Sequence, residues 1–345
     1  MHFFLALRTY LDLLQTIIFL KFAPSIKRKL MVSRRYLRTK TMQAIFASEM
    51  NDKEDLVSGE KKLVQSVESC YTLFLYFISL LTEIKSYRLN KQEDVKGKMF
   101  PTYEDLHPNT KFTDNLIISQ IEDNKQLQIL WKEHKISWTN EKDFIVQMFH
   151  EIESSEIYGL YMAREERSYH EDKQFVLDLI EKVFVNSELL HWYFEEKNLH
   201  WFDDYNEALL MTYKNIASFK EQKGDHCEIS PLYKDDEDRE FYKTLYRQTM
   251  IHHQEFATMI EEKLQNWEAE RVMTLDKILM EMALCEFTEF PEIPIKVTIN
   301  EYIELAKTYS SAKSGLFING ILDKLVMDLK QADKLHKTGR GIINN

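Results

Sequence analysis

The chain of 345 residues is 44% hydrophobic and 29% charged, a balance that supports a large folded core and excludes an intrinsically disordered protein. Only 8 Gly and 6 Pro are present, so residues that end helices are scarce and the sequence predicts an all-α fold. The net charge of -11 argues against a protein that coats nucleic acid over its whole surface, yet residues 1–50 carry nine Lys and Arg against two acidic residues, a net +7. A basic amino-terminal segment on an acidic body is typical of a local nucleic-acid contact.

The first thirty residues contain an apolar stretch, 3–20, that raises the question of a signal peptide or a membrane span. Arg8 and Asp12 interrupt it and no small-residue cleavage site follows, which argues against a secretory signal. A membrane anchor is the second alternative, but a charge at the centre of a span costs about 2.5–3.5 kcal/mol. We interpret residues 1–30 as an extension upstream of a natural start at Met31, and we expect no membrane association.

Apolar spacing predicts a first helix from Ser33 to about Met50 and a second from Leu56 to Tyr87 that is strongly apolar in its middle. In the first helix, Arg35, Arg38, Met42 and Phe46 share the side opposite to Leu37, Thr41, Ala44, Ile45 and Ser48. Residues 88–110 are polar and contain Gly97, Pro101 and Pro108, which predicts a loop. Further helical segments are predicted near 112–135, 141–165, 170–197 and 203–222.

A break at 223–234 precedes a predicted helix from Asp235 to Trp267 and another from Thr274 to Phe287. A proline-marked turn follows, then helices from Ile299 to Tyr309 and from Ser314 to Leu329. We expect Ser314 to cap the last helix. No alternation of apolar and polar residues is long enough to predict a sheet.

The carboxy-terminal segment from Leu275 to Leu329 resembles the NusB family. That family shows a helix ending in an Ala-Leu-x-Glu-Leu-like sequence, a Val-Pro-x-Lys-Val-Ala-Ile-Asn-Glu block, an Ile-Glu-Leu-Ala-Lys helix and a Phe-Val-Asn-Gly-Val-Leu-Asp-Lys sequence. The matching stretches here, in the same order and spacing, are Ile293–Val297, Ile299–Glu301, Ile303–Lys307 and Phe317–Lys324. The family's arginine-rich opening and its Gln-Ala-Leu-Tyr-like sequence resemble Arg34, Arg35 and Arg38 followed by Gln43 to Phe46.

The resemblance covers residues 31–70 and 235–330 and implies an all-helical fold of two packed bundles. It divides the chain into an extension at 1–30, a discontinuous NusB-like domain at 31–90 and 235–335, a helical insertion at 91–234 and a flexible tail at 336–345. The insertion has no counterpart in compact members of the family.

The resemblance also implies a cytoplasmic, RNA-binding factor of transcription antitermination. Such a factor would bind boxA-like single-stranded RNA together with NusE, a small-subunit ribosomal protein, on the elongation complex of ribosomal RNA operons. The acidic body would suit a basic ribosomal partner. The alternative is a protein-only interaction scaffold on a NusB fold, with the insertion as the partner-binding surface.

The resemblance assigns RNA contact to the basic start of the first helix. Guanidinium groups bind phosphates and aromatic rings stack on bases, so the candidate residues are Arg34, Arg35, Arg38, Lys40 and Phe46. The alternative is a solvated basic helix start with Phe46 in the core. Lys313 and Phe317 are further candidates beside the last helix, and the alternative for Phe317 is an ordinary core residue. Asn300, Glu301, Asn319 and Gly320 are interpreted as structural, the Asn and Gly residues as helix caps or points of close helix approach.

No catalytic centre, cofactor or metal site is predicted. Glycine-rich nucleotide loops, a GxSxG elbow and an HExxH motif do not occur, and Cys70, Cys227 and Cys285 lack zinc spacing. We expect these three cysteines to be buried thiols. His252 and His253 are adjacent, so their side chains diverge on a helix and cannot share a metal. Residues His150 to His170 lack the Glu-x-x-His spacing of a di-metal bundle.

Overall fold

The structure is a computed structural model that describes residues 32–51, 55–264, 273–311 and 313–342. All regular structure in these ranges is helical and none of it is a β-strand, which confirms the prediction of an all-α fold. The predictions for residues 1–30 lie outside the described residues. The helices are α1 Arg34–Glu49, α2 Leu56–Lys96, α3 Tyr103–Leu106, α4 Leu116–Glu122, α5 Lys125–Glu133, α6 Lys142–Glu153, α7 Glu156–Ala163, α8 Tyr169–Asp178, α9 Glu188–Lys197, α10 Trp201–Ser218, α11 Asp236–Ile251, α12 His253–Lys263, α13 Thr274–Glu289, α14 Ile295–Tyr309 and α15 Ser314–Gln331.

Two compact units divide the chain. One, here called the split unit, comprises residues 32–67 and 233–345, and the other, the central unit, comprises residues 68–232. The division therefore falls inside α2 at residues 67 and 68, whereas the predicted insertion begins at residue 91.

Helix α13 is the centre of the split unit. Every residue from Ile278 to Phe287 is buried, because the sequence ILMEMALCEF is apolar on all sides of the helix apart from Glu281 and Glu286. α1, α11, α12, α14 and α15 all pack against α13. The carboxylates of Glu281 and Glu286 are therefore buried within this stretch, and each needs a polar partner there.

The central unit is built around the apolar part of α2 and a cluster of aromatic rings. Phe77 on α2 packs edge-on against Phe194 and Tyr205, and the ring planes of Trp138, Phe144 and Tyr193 are stacked. Helix α2 is long and apolar enough to cross a bilayer, but 72% of its most apolar window is buried within the protein. That degree of burial is what a core helix shows.

Several predicted boundaries differ from the structure. Helix α2 continues to Lys96 because residues 88–96 are polar but contain neither Gly nor Pro, and only Gly97 ends it. The predicted helix from Asp235 is two helices, α11 and α12, divided at His252 without a Gly or Pro to mark the break. Residues Cys70, Cys227 and Cys285 are buried, as predicted.

Lys337 and Thr338 bond to the turn between α13 and α14, whereas the sequence predicts a flexible tail from residue 336. Lys337 Nζ donates hydrogen bonds to the carbonyl oxygens of Glu286 and Phe290, at 3.2 and 2.9 Å. The backbone N–H of Thr338 donates to the carbonyl oxygen of Pro291 at 3.1 Å. Residues 337–342 are thereby tied to the turn between α13 and α14.

Candidate nucleic-acid interface

The arginine-rich segment forms the first turn of α1. Ser33 begins the helix, since its side chain accepts a hydrogen bond from the backbone N–H of Tyr36. Arg34, directly after this cap, pairs with Glu237 and Asp238 at the start of α11, at 2.5 and 2.7 Å. Its guanidinium also lies 5.1 Å from the ring centroid of Phe241. Arg34 therefore joins α1 to α11 as well as carrying positive charge.

Arg38 lies one turn further along α1 and is buried, with 3% of its side chain exposed. Its Nε and Nη2 donate to the two carboxylate oxygens of Glu286, at 2.8 and 2.6 Å. Thr298 and Tyr302 donate two further hydrogen bonds to the same carboxylate. Burial alone would lower the pKa of Arg38, but the Glu286 carboxylate outweighs it and raises that pKa well above the usual value.

The burial of Arg38 departs from the predicted exposed face of the first helix. Met42, predicted on the same face, is also buried. The reason is that α13 and α11 cover that side of α1. In this conformation the Arg38 guanidinium supports the fold and is closed to a ligand.

Arg35 is the exposed arginine of the segment. Its Nε and Nη2 donate to the Glu301 carboxylate on α14, at 3.0 and 2.8 Å, while 43% of its side chain stays exposed. Burial favours the neutral form of Glu301, but hydrogen bonding to Arg35 outweighs this and lowers the pKa of Glu301. Arg35 is thus held by Glu301 on α14 and still remains partly exposed to solvent.

Lys40 and Phe46 differ in exposure. Lys40 is buried, and its Nζ lies 5.6 Å from the ring centroid of Tyr36. Phe46 is exposed on α1, with 36% of its surface accessible. The expectation that Phe46 offers an aromatic surface agrees with this position, whereas the alternative of a fully buried Phe46 does not.

Lys313 and Phe317 lie at the start of α15. Lys313 is exposed and Phe317 is partly exposed, beside the buried stripe that includes Ile318 and Leu322. The prediction that Ser314 caps the helix is wrong. Ser314 is the first helical residue, and its hydroxyl donates to Asp276 on α13 at 2.8 Å, so Lys313 occupies the cap position.

The structure does not support the roles predicted for Asn300, Asn319 and Gly320 as helix caps or points of close helix approach. Asn300 and Asn319 lie inside α14 and α15, so neither caps a helix. A Cβ added to Gly320 would meet no atom within 4 Å, so close helix approach does not explain this glycine. Gly315 is the buried one, and its added Cβ would touch Lys307 and Ile303 at 3.4 and 3.5 Å. Glu301 has a structural role that the motif did not indicate, because its carboxylate accepts two hydrogen bonds from Arg35.

The two groups of candidate residues belong to different helices around α13. Helix α1 packs on α11 and α13, while α15 packs on α12, α13 and α14. Arg35 and Glu301 link α1 to α14, so α14 connects the two groups. Exposure separates the candidates into two sets: the accessible side chains are Arg34, Arg35, Phe46, Lys313 and Phe317, and the enclosed ones are Arg38 and Lys40.

Acidic partners of the arginines were not predicted from the sequence. Asp238, Glu286 and Glu301 come from three helices that lie more than 200 residues further along the chain. One signal was available. Glu286 interrupts an otherwise apolar helix, and a buried acid of that kind requires a cation or several hydrogen-bond donors.

In the residues that the structure describes, the fold and this site define an all-helical protein in which the basic helix α1 is fastened by ion pairs to acidic side chains of three later helices. The NusB family model matches residues 207–327, a segment that contains Lys313 and Phe317 and does not reach α1. The transcription antitermination protein NusB of Salinibacter ruber is 42% identical over 113 residues, which are 33% of this chain and 71% of that protein. This chain belongs to the NusB family.

Other relatives agree. The protein of the same name from Desulfatibacillum aliphaticivorans is 36% identical over 98 residues, 28% of this chain and 68% of that protein. The one from Chloroherpeton thalassium is 44% identical over 91 residues, 26% of this chain and 43% of that protein. No solved structure matches the chain.

Proposed function

We propose that this protein is a cytoplasmic, non-catalytic transcription antitermination factor that binds boxA-like single-stranded RNA together with NusE on the transcription elongation complex. The observation that carries the proposal is the similarity to relatives named transcription antitermination protein NusB, up to 71% of whose length is covered. The mechanism is positioning: cations neutralise phosphates, aromatic rings stack on bases, and the protein presents the RNA and its partner in one arrangement.

The exposed fraction of each candidate side chain reduces the set of residues that we propose to contact RNA. Arg35 keeps 43% of its side chain exposed on α1, Phe46 is exposed on the same helix, and Lys313 is exposed before α15. These three side chains, with Phe317 beside Lys313, supply both charge and stacking surface. Arg34 contributes charge. Arg38 and Lys40 are enclosed, and Arg38 fastens α1 to α13 through Glu286.

A specific observation favours the second candidate, a protein-only scaffold. All three arginines of the segment already pair with carboxylates of this chain, which reduces the positive charge that an RNA would meet. In that case the central unit would carry the interaction, and the arginines would serve only to fasten α1.

Arg247 provides a matched control for the test. It lies on α11, is 43% exposed like Arg35, and its Nε and Nη2 pair with Glu60 at 3.0 and 2.7 Å. Arg35→Ala and Arg247→Ala therefore remove equivalent surface ion pairs. The affinity of each variant for boxA-like RNA is measured over a salt series, with and without NusE.

The RNA-binding proposal expects Arg35→Ala to weaken binding and to lower the salt slope by about 0.7, the value for one phosphate contact on a single strand. Arg247→Ala should change neither quantity. Equal behaviour of the two variants, with no RNA affinity gained from NusE, would reject RNA binding at this site and support the protein-only scaffold.

A further inference from the structure

Three helices of the split unit bring one histidine and two glutamates together. Glu49 ends α1, His253 begins α12, and Glu281 lies in the middle of α13. One ligand atom from each lies within 4.8 Å of the others. His253 Nδ1 is 2.8 Å from Glu281 Oε2 and 3.9 Å from Glu49 Oε1. We propose that these three side chains form a binding site for a divalent transition metal of the zinc type.

The donor set suits such an ion. One imidazole nitrogen and two carboxylate oxygens are ligands that Zn²⁺ accepts, and three protein ligands leave a fourth position for water. Magnesium prefers oxygen ligands alone in an octahedral arrangement. Neighbouring donors of a tetrahedral zinc site lie roughly 3.3–3.6 Å apart. The two distances from His253 Nδ1, 2.8 and 3.9 Å, bracket that range.

The charge of the cluster also favours a cation. Only 3% of the Glu281 side chain is exposed, and its neighbours in the helix, Met280 and Met282, are apolar and buried. Glu281 Oε2 and Glu49 Oε1 both lie near His253 Nδ1, at 2.8 and 3.9 Å, so two carboxylates share one imidazole. Lys277 is the lysine near both carboxylates. A divalent ion would neutralise two buried or half-buried carboxylates that the single lysine does not.

Access to the cluster comes through His253, whose side chain is 45% exposed. An ion can therefore enter, and water can complete its coordination, without opening the core. Because α1, α12 and α13 each supply one ligand, a bound ion would cross-link three helices of the split unit. Metal binding would then stabilise the folded state.

Adjacent residues provide the control. His252 is also exposed, but it contacts Glu255 and the ring of Phe256, away from the cluster. The full-length protein, freed of metal with a chelator, is titrated with Zn²⁺ and with Co²⁺, whose visible absorption reports nitrogen and oxygen ligation. The metal content and the unfolding temperature are recorded for the unaltered protein, His253→Gln and His252→Gln.

We expect each chain to bind one Co²⁺ or Zn²⁺ ion and to unfold at a higher temperature with that ion bound. We expect Mg²⁺ to have no equivalent effect. His253→Gln should weaken binding by at least the 10- to 100-fold order seen when supporting residues of metal sites are removed. His252→Gln should bind as the unaltered protein does. Lys277→Met should bind more tightly, because it removes the opposing charge.

Failure to bind, or an equal loss in the two histidine variants, would overturn the metal site and leave His253 as a hydrogen-bond partner of Glu281. His253 is half-exposed, so His253→Gln is expected to fold, and circular dichroism of the apo proteins verifies this. The outcome is independent of RNA binding, since the readout is metal content and thermal stability.

Discussion

Arg38 and Glu286 form a two-point ion pair in the core of the split unit, with 3% and 0% of their side chains exposed. Together with the Arg34 and Arg35 pairs, it fastens α1 to α11, α13 and α14. The segment with the most conspicuous positive charge in the sequence is therefore also a structural anchor. Effects of its arginines on RNA binding have to be separated from effects on stability.

Arg38→Met should destabilise the protein by about 3–5 kcal/mol, because it leaves Glu286 charged and buried with only Thr298 and Tyr302 as donors. The double variant Arg38→Met/Glu286→Leu removes both charges and should lose less than the sum of the two single variants. Urea unfolding measures the free energies. Additive losses would show that the pair is not energetically coupled.

Two glycines of the split unit should respond in opposite ways to alanine. A Cβ at Gly59 would lie 1.9 Å from the hydroxyl of Tyr246, which is fully buried and hydrogen-bonded to Ser48, so Gly59→Ala should destabilise the protein. Gly320 is exposed inside α15 with open space around its added Cβ, so Gly320→Ala should stabilise it by about 0.5–1 kcal/mol.

Thermal unfolding of both glycine variants provides the measurement. The prediction for Gly320 assumes that packing does not require a glycine at this position, as the open space around its added Cβ indicates. A loss of stability in Gly320→Ala would contradict that assignment, and unchanged stability in Gly59→Ala would mean that Tyr246 moves easily.

The sequence predicted the parts of the fold that depend on local pattern. Apolar periodicity located α1, α13 and α15 to within two residues at most ends, because their buried stripes recur at helical spacing. Apolar periodicity did not predict the burial of Arg38 or the break between α11 and α12 at His252. Those features depend on which helix covers which face, and the residues that decide it, Glu286 among them, lie far away in the chain.

The candidate site was predictable only as a list of residue types. The motif around Phe317 pointed to the last helix, but Ser314, predicted as its cap, is the first helical residue and its hydroxyl donates a hydrogen bond to Asp276. Serine is a common N-cap residue, but the hydroxyl of Ser314 forms a tertiary hydrogen bond with Asp276 on α13 instead. Similarly, no sequence signature links Glu49 to His253, and the two become neighbours only through packing on α13.

Lys337 should make stability depend on pH in the alkaline range. Burial lowers the pKa of Lys337 to about 8, although Glu286 partly opposes this. Between about pH 8 and the unfolded value of about 10.4, the unfolded chain binds more protons than the folded one, so stability rises with pH. Below pH 8 both states are protonated and the destabilising effect of the buried charge is complete.

Lys337→Met should flatten this rise, as followed by urea midpoints across the same range. Lys334→Met is the control, because Lys334 lies in the same segment but is exposed and pairs with Glu255. Identical pH profiles for Lys337→Met and the unaltered protein would contradict the assignment of the alkaline dependence to Lys337.

Stacking by α1 can be tested at Phe46. If Phe46 stacks on a base, Phe46→Ala should reduce RNA affinity by about 1–3 kcal/mol and leave the salt slope unchanged. Met50, which is 63% exposed one turn further on, provides Met50→Ala as a control for the loss of apolar surface. Equal effects of the two variants would indicate nonspecific loss of surface instead of stacking.

The start of α15 allows charge and stacking to be separated within one short segment. Lys313→Gln should lower the salt slope by about 0.7 if Lys313 contacts one phosphate, whereas Phe317→Leu should reduce affinity at every salt concentration without altering the slope. Lys324→Gln serves as the control, since Lys324 is exposed on the same helix but lies about three turns from Lys313. A lower slope in Lys324→Gln as well would mean that α15 attracts RNA through its overall charge. An unchanged slope in Lys313→Gln would remove the phosphate contact from this end of the helix and leave Arg35 as the principal charged contact of the proposed interface.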